Sequence, residues 1–278
     1  MTLQILLGFI LSTVIAILAW RLHTLSNSGA WAAFLTGGLI FGLGGIPWAI
    51  LLLTFFITSS ALSRAFARRK AALSEKFSKG STRDWAQVFA NGGLGSLLAL
   101  TYGLLPGQPW TWVAFAGAMA AVTADTWATE LGVLSTAPPR LISNGKPVER
   151  GTSGGITRMG TLSASGGAAL IGVVFTAFSY QQSAISQISS WKGFLLLWAI
   201  IIIGGLAGAL FDSLLGATVQ AIYHCPSCQK ETERHPLHIC GTVTVRVRGW
   251  LWLNNDWVNF ACSLVGAAIA VGIWKVLF

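Results

Sequence analysis

Charged side chains are scarce in this sequence. Only 10% of its 278 residues are charged and 54% are hydrophobic, with a mean hydropathy of +0.66, whereas soluble domains carry about 25% charged residues. This scarcity excludes an ordinary soluble globular protein. Apolar runs recur along the whole chain, and each is long enough to cross a hydrocarbon core of about 30 Å. The composition therefore predicts an integral membrane protein.

Helices are the expected spanning elements. The predicted fold is an all-α polytopic membrane protein, a bundle of seven or eight transmembrane helices in a single transmembrane domain, residues 1–278. Only "GLGGIP" separates the second and third hydrophobic segments, so both helix counts stay open. The segments lie at residues 3–20, 29–45, 46–63, 87–105, 110–131, 161–178, 192–221 and 256–277.

Lysine and arginine are absent from some connecting segments and frequent in others. The stretches 106–109 and 180–190 contain neither, whereas residues 64–83 and the connections after the fifth and seventh segments are basic. The positive-inside rule places these basic loops in the cytoplasm. The net charge of +9 therefore indicates topology, and we expect no nucleic acid partner. We interpret residues 64–83 as a solvated loop attracted to anionic lipid, with nucleotide steering as the alternative.

Acidic residues are also few, nine in all. Asp125 and Glu130 fall at the cytoplasmic end of the fifth segment, Asp212 in the cytoplasmic half of the seventh, and Asp256 at the start of the eighth. A carboxylate in a spanning helix costs roughly 2.5 to 3.5 kcal/mol, and no intramembrane Lys or Arg is expected to pair with these acids. Asp125, Asp212 and Asp256 therefore predict a Mg²⁺ site. The alternative is that such polar groups only hydrogen-bond neighbouring helices.

Uncharged polar residues gather at the same membrane face. Gln87 and Asn91 stand one helical turn apart, and Gly216 and Gln220 continue the stripe of Asp212. Glycine or alanine precedes both Asp125 and Asp212 by one and by two turns. Small residues let helix backbones approach closely, so we expect these two aspartates to lie near each other in a shared polar cavity.

A loop rich in glycine, threonine and arginine, "ERGTSGGITRMGT", occupies residues 149–161. It lacks the Gly-Lys-Ser/Thr ending of a P-loop. Its glycines nevertheless allow backbone N–H groups to form an anion-binding nest, and the loop leads into the N-terminus of the sixth helix. Arg150 and Arg158 add charge, and Thr152, Thr157 and Thr161 add hydroxyl groups. The loop predicts phosphate binding, with a flexible connector as the alternative.

A metal site beside a phosphate-binding loop is the equipment of phosphoryl or nucleotidyl transfer. The location within one leaflet indicates a lipid as the second substrate. Three other interpretations stay open: a transporter or channel, a cytidylyltransferase that makes a CDP-lipid, and a non-catalytic scaffold. The transporter predicts polar residues in the outer halves of the helices, and those halves are almost purely apolar.

Six ordered motifs resemble one membrane family across nearly the whole chain. They are "SNSGAWAA", "DWAQVFANGG", "ADTWATELG", "RGTSGGITRMGT", "FDSLLGATVQ" and "NNDWVNF". The chain is similar to the family that contains the phytyl-phosphate kinase of tocopherol biosynthesis and transmembrane protein 19. The resemblance implies a membrane kinase, with its active site facing the cytoplasm, that transfers the γ-phosphoryl group of CTP or another nucleotide to an isoprenyl (phytyl) monophosphate. A homo-oligomer is compatible with the sequence.

The resemblance also implies roles for individual residues. Asp125, Asp212, Glu130 and Arg150 would be catalytic, with Mg²⁺ held by Asp125, Asp212 and Asp256. The residues expected to bind nucleotide and acceptor are Gln87, Asn91, Thr152, Gly154, Gly155, Thr157, Arg158, Thr161, Ser213, Gly216, Gln220 and Asn255.

Cysteine is rare, but three of the four cysteines fall in one short connection, residues 222–250, which we expect to form a cytoplasmic Cys/His loop between the last two helices. Cys225 and Cys228 have the spacing of half a zinc knuckle, and Cys240 with His238 or His235 would complete a structural Zn²⁺ site. The alternatives are reduced cysteines without metal and a Cys225–Cys228 redox pair.

Overall fold

The computed structural model describes residues 2–67, 75–179 and 191–278, and within them it contains eight α-helices and two small β-sheets. The helices are α1 (Thr2–Arg21), α2 (Asn27–Gly44), α3 (Ile46–Ala65), α4 (Trp85–Leu104), α5 (Pro109–Gly132), α6 (Arg158–Ser179), α7 (Trp191–Thr218) and α8 (Asn255–Leu277). The strands are β1 (Arg140–Leu141), β2 (Gly155–Ile156), β3 (Ile222–Cys225), β4 (Lys230–Thr232) and β5 (Val245–Arg248).

A single glycine separates the second and third helices, whose division the sequence left open. Gly45 has a φ of +83° and ends α2 with a hydrogen bond from its N–H to the carbonyl oxygen of Phe41 (2.8 Å). Pro47 then stands in the first turn of α3, where its missing N–H does no harm. Two helices are therefore present where a merged seven-helix bundle was the other possibility.

Five of the described helices, α1, α3, α6, α7 and α8, combine the length and the hydropathy of a membrane span. The helix α5 does not, although it forms the centre of the bundle. Residues 111–124 are buried without interruption, and α5 packs against α3, α4, α6, α7 and α8. A helix surrounded by other helices has no lipid to face, so small residues that permit close packing replace large apolar ones. The prediction of an all-α membrane protein is confirmed.

Three central helices approach each other at glycines. A Cβ atom on Gly117 of α5 would lie 2.6 Å from the carbonyl oxygen of Gly266 on α8, and one on Gly204 of α7 would lie 2.8 Å from the same oxygen. A Cβ on Gly208 would lie 2.5 Å from the Cβ of Ala121. No larger side chain fits between these backbones, which agrees with the predicted close approach of the helices that carry the two aspartates.

Aromatic rings fill the end of the bundle where α3 and α5 begin and α6 ends, which is opposite the end that carries the two aspartates. Trp48 at the start of α3 stacks on Phe115 at the start of α5, with ring centroids 4.5 Å apart. Trp112 packs against Phe175 near the end of α6 (5.3 Å), and its indole N–H donates a hydrogen bond to the Ser179 hydroxyl (3.1 Å). Trp48, Trp112, Phe115 and Phe175 are all buried. This end of the helix core is therefore closed.

The two sheets lie in the connections that follow α5 and α7. The strands β1 and β2 pair antiparallel, with Leu141 opposite Gly155, and this pairing shapes the Gly-rich loop just before α6. The second sheet has the order β4-β3-β5, with antiparallel neighbours. It occupies most of the connection predicted as the Cys/His loop.

Candidate active site

A polar cavity of about 410 Å³ lies where α5 and α7 end and where α4, α6 and α8 begin. Because both aspartate-bearing helices end at this cavity, they run in the same direction. Most of the residues predicted for the site line it. They are Gln87, Asn91, Asp125, Glu130, Arg150, Thr152, Gly154, Gly155, Thr157, Thr161, Asp212, Ser213, Gly216, Gln220 and Asn255.

Two predicted residues are not part of this lining. Arg158 is exposed on the first turn of α6. Asp256, in the first turn of α8, has a partner that the sequence did not predict, because the ammonium group of Lys79 lies 2.5 Å from its Oδ2 atom. The sequence analysis considered only basic partners within the membrane, and Lys79 reaches this carboxylate from a loop.

Asp125 and Asp212 form the acidic wall of the cavity. The Oδ2 atom of Asp212 is buried and has no hydrogen-bond partner among the described residues. Asp125 lines the same cavity as Asp212. Two like charges near each other in a poorly solvated place are unfavourable unless a cation joins them. This donor set of hard oxygens fits a divalent cation such as Mg²⁺.

The Gly-rich loop is held against the end of α7 by direct backbone contact. Gly154 has a φ of +82°, and a Cβ atom there would lie 2.3 Å from the backbone nitrogen of Ala217. A Cβ on Gly216 would in turn lie 2.9 Å from the nitrogen of Gly154. Glycine at both positions therefore lets the loop approach within one helical turn of Asp212. The acidic wall and the loop belong to the same site.

Local hydrogen bonds shape the rest of the loop. The hydroxyl oxygen of Thr157 accepts a bond from the N–H of Gly160 (2.9 Å) and so caps the first turn of α6. Arg150 donates to the carbonyl oxygens of Ser135 (2.6 Å) and Thr136 (3.2 Å), which follow α5. Arg150 thus ties the loop to the end of the helix that carries Asp125.

Glu233, which the sequence did not single out, also lines the cavity. Its carboxylate accepts hydrogen bonds from the Ser153 hydroxyl (2.7 Å), the Gln220 side-chain amide (3.0 Å) and the backbone N–H of Ser78 (3.4 Å). Burial raises the pKa of Glu233, and these three hydrogen bonds oppose that rise. Glu233 therefore joins the Gly-rich loop, the residues that follow α7 and the basic loop of residues 64–83, to which Ser78 belongs, at one point.

The interpretation of residues 64–83 as a solvated loop is wrong for three of its basic residues. Lys76 is buried and pairs with Glu149 at the start of the Gly-rich loop (2.7 Å). Lys79 bridges Asp84 (2.9 Å) and Asp256. These cations hold loops together over the site. Arg64 is exposed, as expected, and Arg68, Arg69 and Lys70 lie outside the described residues.

Arg83 is the third of these residues and is partly buried. Its guanidinium donates to the Ser60 hydroxyl (2.7 Å) and lies within 6 Å of the ring centroids of Phe55 (5.8 Å) and Phe56 (5.6 Å). Burial lowers the pKa of Arg83, and the negative charge of Glu130 opposes that effect. The group nevertheless stays cationic, because the ordinary pKa of arginine is so high.

Gln87 helps to cap the N-terminus of α4. The N–H of Gln87 donates to the Asp84 carboxylate (2.9 Å), and the Asp84 N–H donates to the Gln87 side-chain oxygen (3.1 Å). This capping box satisfies two backbone donors at the helix end. Asn91 donates from its side chain to the carbonyl oxygen of Gln87 (2.8 Å). Both side chains therefore reach the cavity from fixed positions.

An apolar groove adjoins the polar cavity between α1, α2, α3 and α4. Its walls carry mainly aliphatic and aromatic side chains, including Leu11, Ile15, Leu52 and Phe55. Arg83, Gln87 and Asn91 line both the groove and the polar cavity. The two spaces therefore meet at a cation and two amides.

A family model described as integral membrane protein DUF92 matches residues 10–267. The chain belongs to the DUF92 integral membrane family. Protein PGR of Arabidopsis thaliana is 33% identical over 276 residues, covering 94% of this chain and 93% of that protein. An uncharacterized membrane protein of Methanocaldococcus jannaschii is 30% identical over 99% of this chain and 96% of its own length. One from Synechocystis is 28% identical over 83% and 78%. No solved structure matches.

Membership of the DUF92 family agrees with the resemblance drawn from the six motifs. In this DUF92 chain four of the predicted metal ligands, Cys225, Cys228, His238 and Cys240, have ligand atoms that all lie within 4.8 Å of one another. His235, the other candidate, is instead stacked on Tyr223, with ring centroids 4.4 Å apart. The structure therefore groups His238, and not His235, with the three cysteines.

Sequence reasoning missed Glu233, and it undervalued Lys79 and Arg83 in this DUF92 chain. Glu233 stands in the polar connection after α7, among residues such as Glu231 and Arg234, and no spacing distinguishes it. Lys79 and Arg83 belong to a run of basic residues that is typical of any cytoplasmic loop. One local signal was available for Arg83, because it immediately precedes Asp84, which caps α4, and is thereby held next to the start of that helix.

Proposed function

We propose that this chain is a membrane-embedded isoprenyl-phosphate kinase. It transfers the γ-phosphoryl group of CTP, or of another nucleoside triphosphate, to an isoprenyl monophosphate such as phytyl monophosphate, and the product is the diphosphate. The observation that carries the proposal is the single cavity that combines two aspartates, a Gly-rich loop and a junction with an apolar groove. The active site faces the cytoplasm, where the positive-inside rule puts the basic loops.

The acidic wall suits a magnesium nucleotide. Asp125 and Asp212 would hold Mg²⁺, and the buried Oδ2 atom of Asp212 that has no partner among the described residues is the main support for this assignment. When bound, Mg²⁺ neutralises phosphate charge and orients the nucleotide. The Lys79 contact leaves Asp256 a supporting role at the rim.

The Gly-rich loop suits the phosphate groups of the nucleotide. It contributes the hydroxyl of Thr152, the backbone of Gly154 and Gly155, and the start of α6. Helix N-termini and backbone N–H nests favour anions. Arg150 lines the same cavity, and we assign its positive charge to the nucleotide phosphates.

The apolar groove suits the acceptor. A lipid monophosphate has an anionic head and a long apolar tail, and the two spaces meet where Arg83, Gln87 and Asn91 line both. We assign the tail to the groove and the head to Arg83. A guanidinium binds phosphate with strong charge-assisted hydrogen bonds, and its contacts with Phe55 and Phe56 hold it in place.

The transfer needs little proton chemistry. An oxygen of the acceptor monophosphate attacks the γ-phosphorus, a new P–O–P bond forms, and the bond to the β–γ bridging oxygen breaks. The nucleoside diphosphate leaves with that electron pair. Because the acceptor phosphate is already anionic, no strong general base is required, and the residues of the site act by positioning and by neutralising charge.

The test uses the purified chain in nanodiscs with Mg²⁺, CTP and isoprenyl monophosphates of increasing chain length. The kinase releases CDP and forms the lipid diphosphate, whereas a cytidylyltransferase would release pyrophosphate and form a CDP-lipid. Transport would require a path past the buried ring cluster of Trp48, Trp112, Phe115 and Phe175. The same acceptors are then tested with ATP, GTP and UTP in place of CTP, and failure of every donor and acceptor pair to yield the nucleoside diphosphate contradicts the proposal.

Two substitutions examine the metal role directly. Asp125→Asn and Asp212→Asn should each lower turnover roughly 100-fold or more, while Glu231→Gln, an exposed carboxylate on β4, should leave it unchanged. Mg²⁺ with nucleotide should raise the Tm of the wild-type protein and of Glu231→Gln, but not that of Asp212→Asn. Wild-type turnover in both aspartate variants would remove them from the mechanism.

A further inference from the structure

We propose that Cys225, Cys228, His238 and Cys240 bind one structural zinc ion. They lie in the connection between α7 and α8, outside the cavity lining. Their role would be to hold the sheet β4-β3-β5 in the position that delivers Glu233 to the cavity. The zinc site is independent of the proposed kinase activity, because it rests on its own geometry.

Three of the six distances between the ligand atoms are close to those of a tetrahedral site, and all six are within 4.8 Å. With Zn–S bonds near 2.3 Å and Zn–N bonds near 2.0 Å, the sulfur atoms of a tetrahedron lie about 3.8 Å apart and sulfur and nitrogen about 3.5 Å apart. Here Cys225 Sγ lies 3.6 Å from Cys240 Sγ, Cys228 Sγ lies 3.5 Å from His238 Nδ1, and His238 Nδ1 lies 3.2 Å from Cys240 Sγ. Three thiolates and one imidazole are a ligand set found in structural zinc sites.

A disulfide is the obvious alternative for three clustered cysteines, and the geometry disfavours it. The 3.6 Å between Cys225 and Cys240 is far longer than the roughly 2.05 Å of an S–S bond, and both residues are free thiols. A Cys225–Cys240 disulfide would also not explain why Cys228 and His238 lie in the same cluster. The imidazole of His238 is buried, and its contacts with two sulfur atoms are those of a ligand.

The sheet β4-β3-β5 requires stabilisation by a metal ion because it is small. Its strands have four, three and four residues, too few to bury a core of their own, and small modules of this kind rely on a metal or on disulfides. The four ligands come from the end of β3, the turn before β4 and the segment between β4 and β5. One ion would therefore fasten all three parts.

Glu233 directly follows the fastened strand β4. Its N–H donates to the carbonyl oxygen of Lys76 (2.8 Å), and the hydroxyl of Thr232 donates to that of Glu75 (2.6 Å). These bonds fix the main chain on one side, and the hydrogen bonds to Ser153 and Gln220 fix the carboxylate on the other. Loss of the ion would loosen β4 and with it the Glu233 contact to the Gly-rich loop.

The experiment measures zinc in the full-length protein, purified in detergent from cells supplied with zinc, without nucleotide or acceptor. We expect one zinc per chain in the wild type, close to none in Cys228→Ser and Cys240→Ser, and one in the matched control Cys262→Ser, whose thiol is buried in α8 away from the cluster. His235→Ala should also keep its zinc. A metal-free wild-type protein, or a Cys228→Ser variant with full zinc, overturns the proposal.

A second measurement guards against variants that fail to fold. Wild-type protein is stripped with a chelator and refilled with Co²⁺, whose thiolate charge-transfer and d–d bands report tetrahedral sulfur coordination. Hydrogen exchange in residues 222–248 should rise on stripping, while the buried residues 111–124 of α5 stay protected. Absent cobalt bands, or equal protection with and without metal, contradict the proposal even where CDP formation is normal.

Discussion

Replacement of Gly154 by alanine should uncouple the Gly-rich loop from the proposed Mg²⁺ site. The added Cβ atom would lie 2.3 Å from the nitrogen of Ala217, about 1 Å short of ordinary contact. Its nearest neighbours are backbone atoms of α7, which cannot rotate away. The loop must therefore retreat from α7 by roughly 1 Å, and the groups proposed to bind phosphate move with it.

The expected loss has two parts that different assays separate. Alanine at a φ of +82° costs roughly 1 to 2 kcal/mol, which appears as a lower Tm. A displacement of about 1 Å between reacting groups costs roughly 100-fold in rate, which appears in kcat/KM for CDP formation. The Tm shift alone would therefore not account for the activity that is lost.

Gly145 supplies the matched control, because it lies in the same connection with a φ of +69° and has open space around its Cβ position. Gly145→Ala should lower the Tm by a similar amount and leave kcat/KM within about threefold of wild type. Equal activity in the two variants, or a loss of activity in Gly145→Ala as large as that in Gly154→Ala, would refute the argument that loop docking on α7 sets the geometry of the site.

Two further outcomes follow from the charged groups around the cavity. Arg83→Met should raise the KM for the isoprenyl monophosphate roughly 10- to 100-fold, as expected for a lost charge-assisted hydrogen bond, and leave the KM for CTP unchanged; an equal rise in both would reject the acceptor role. Lys79→Met should lower the Tm at pH 7, because it unpairs Asp84 and Asp256. Burial alone would raise the pKa of Asp84, but the Gln87 N–H and Lys79 outweigh it and the net pKa is lowered. The stability from the Lys79–Asp84 pair is present above about pH 4 and is lost as the pH falls through the lowered pKa of Asp84. The Tm difference between wild type and Lys79→Met should therefore shrink below that pH, and a difference that grows in acid would contradict this pairing.

The convergence of Asp125 and Asp212 could be predicted from the sequence, because it depends on local rules. Each aspartate follows two small residues at helical spacing, and each lies near the end of a helix that leads into a basic loop. Insertion cost places such acids at a shared polar space, and small residues bring their helices together. The structure adds the closest points of that packing, between Gly117, Gly204 and Gly266.

The partners of the loop residues could not be predicted in this way. Lys79 reaches Asp256 across 177 residues of sequence, and Ser153 reaches Glu233 across 80. No periodicity connects such pairs, because loops have no repeating geometry that ties a side chain to a direction. The choice of His238 over His235 is similar, since both have a suitable spacing, and only the structure shows that His238 contacts two of the cysteines while His235 stacks on Tyr223.

The amino-acid sequence by itself determined the membrane-embedded helical bundle and the gathering of its acidic and Gly-rich segments at one end of that bundle. These features follow from hydropathy, helical periodicity and the distribution of basic residues, which act on short stretches of chain. Only the tertiary structure decided that α5 is the shielded centre, that Arg83 stands where the polar cavity meets the apolar groove, and that Glu233 enters the site from a distant loop. Those outcomes depend on how backbones pack and which loops meet, and contacts between distant residues leave no local trace in the sequence.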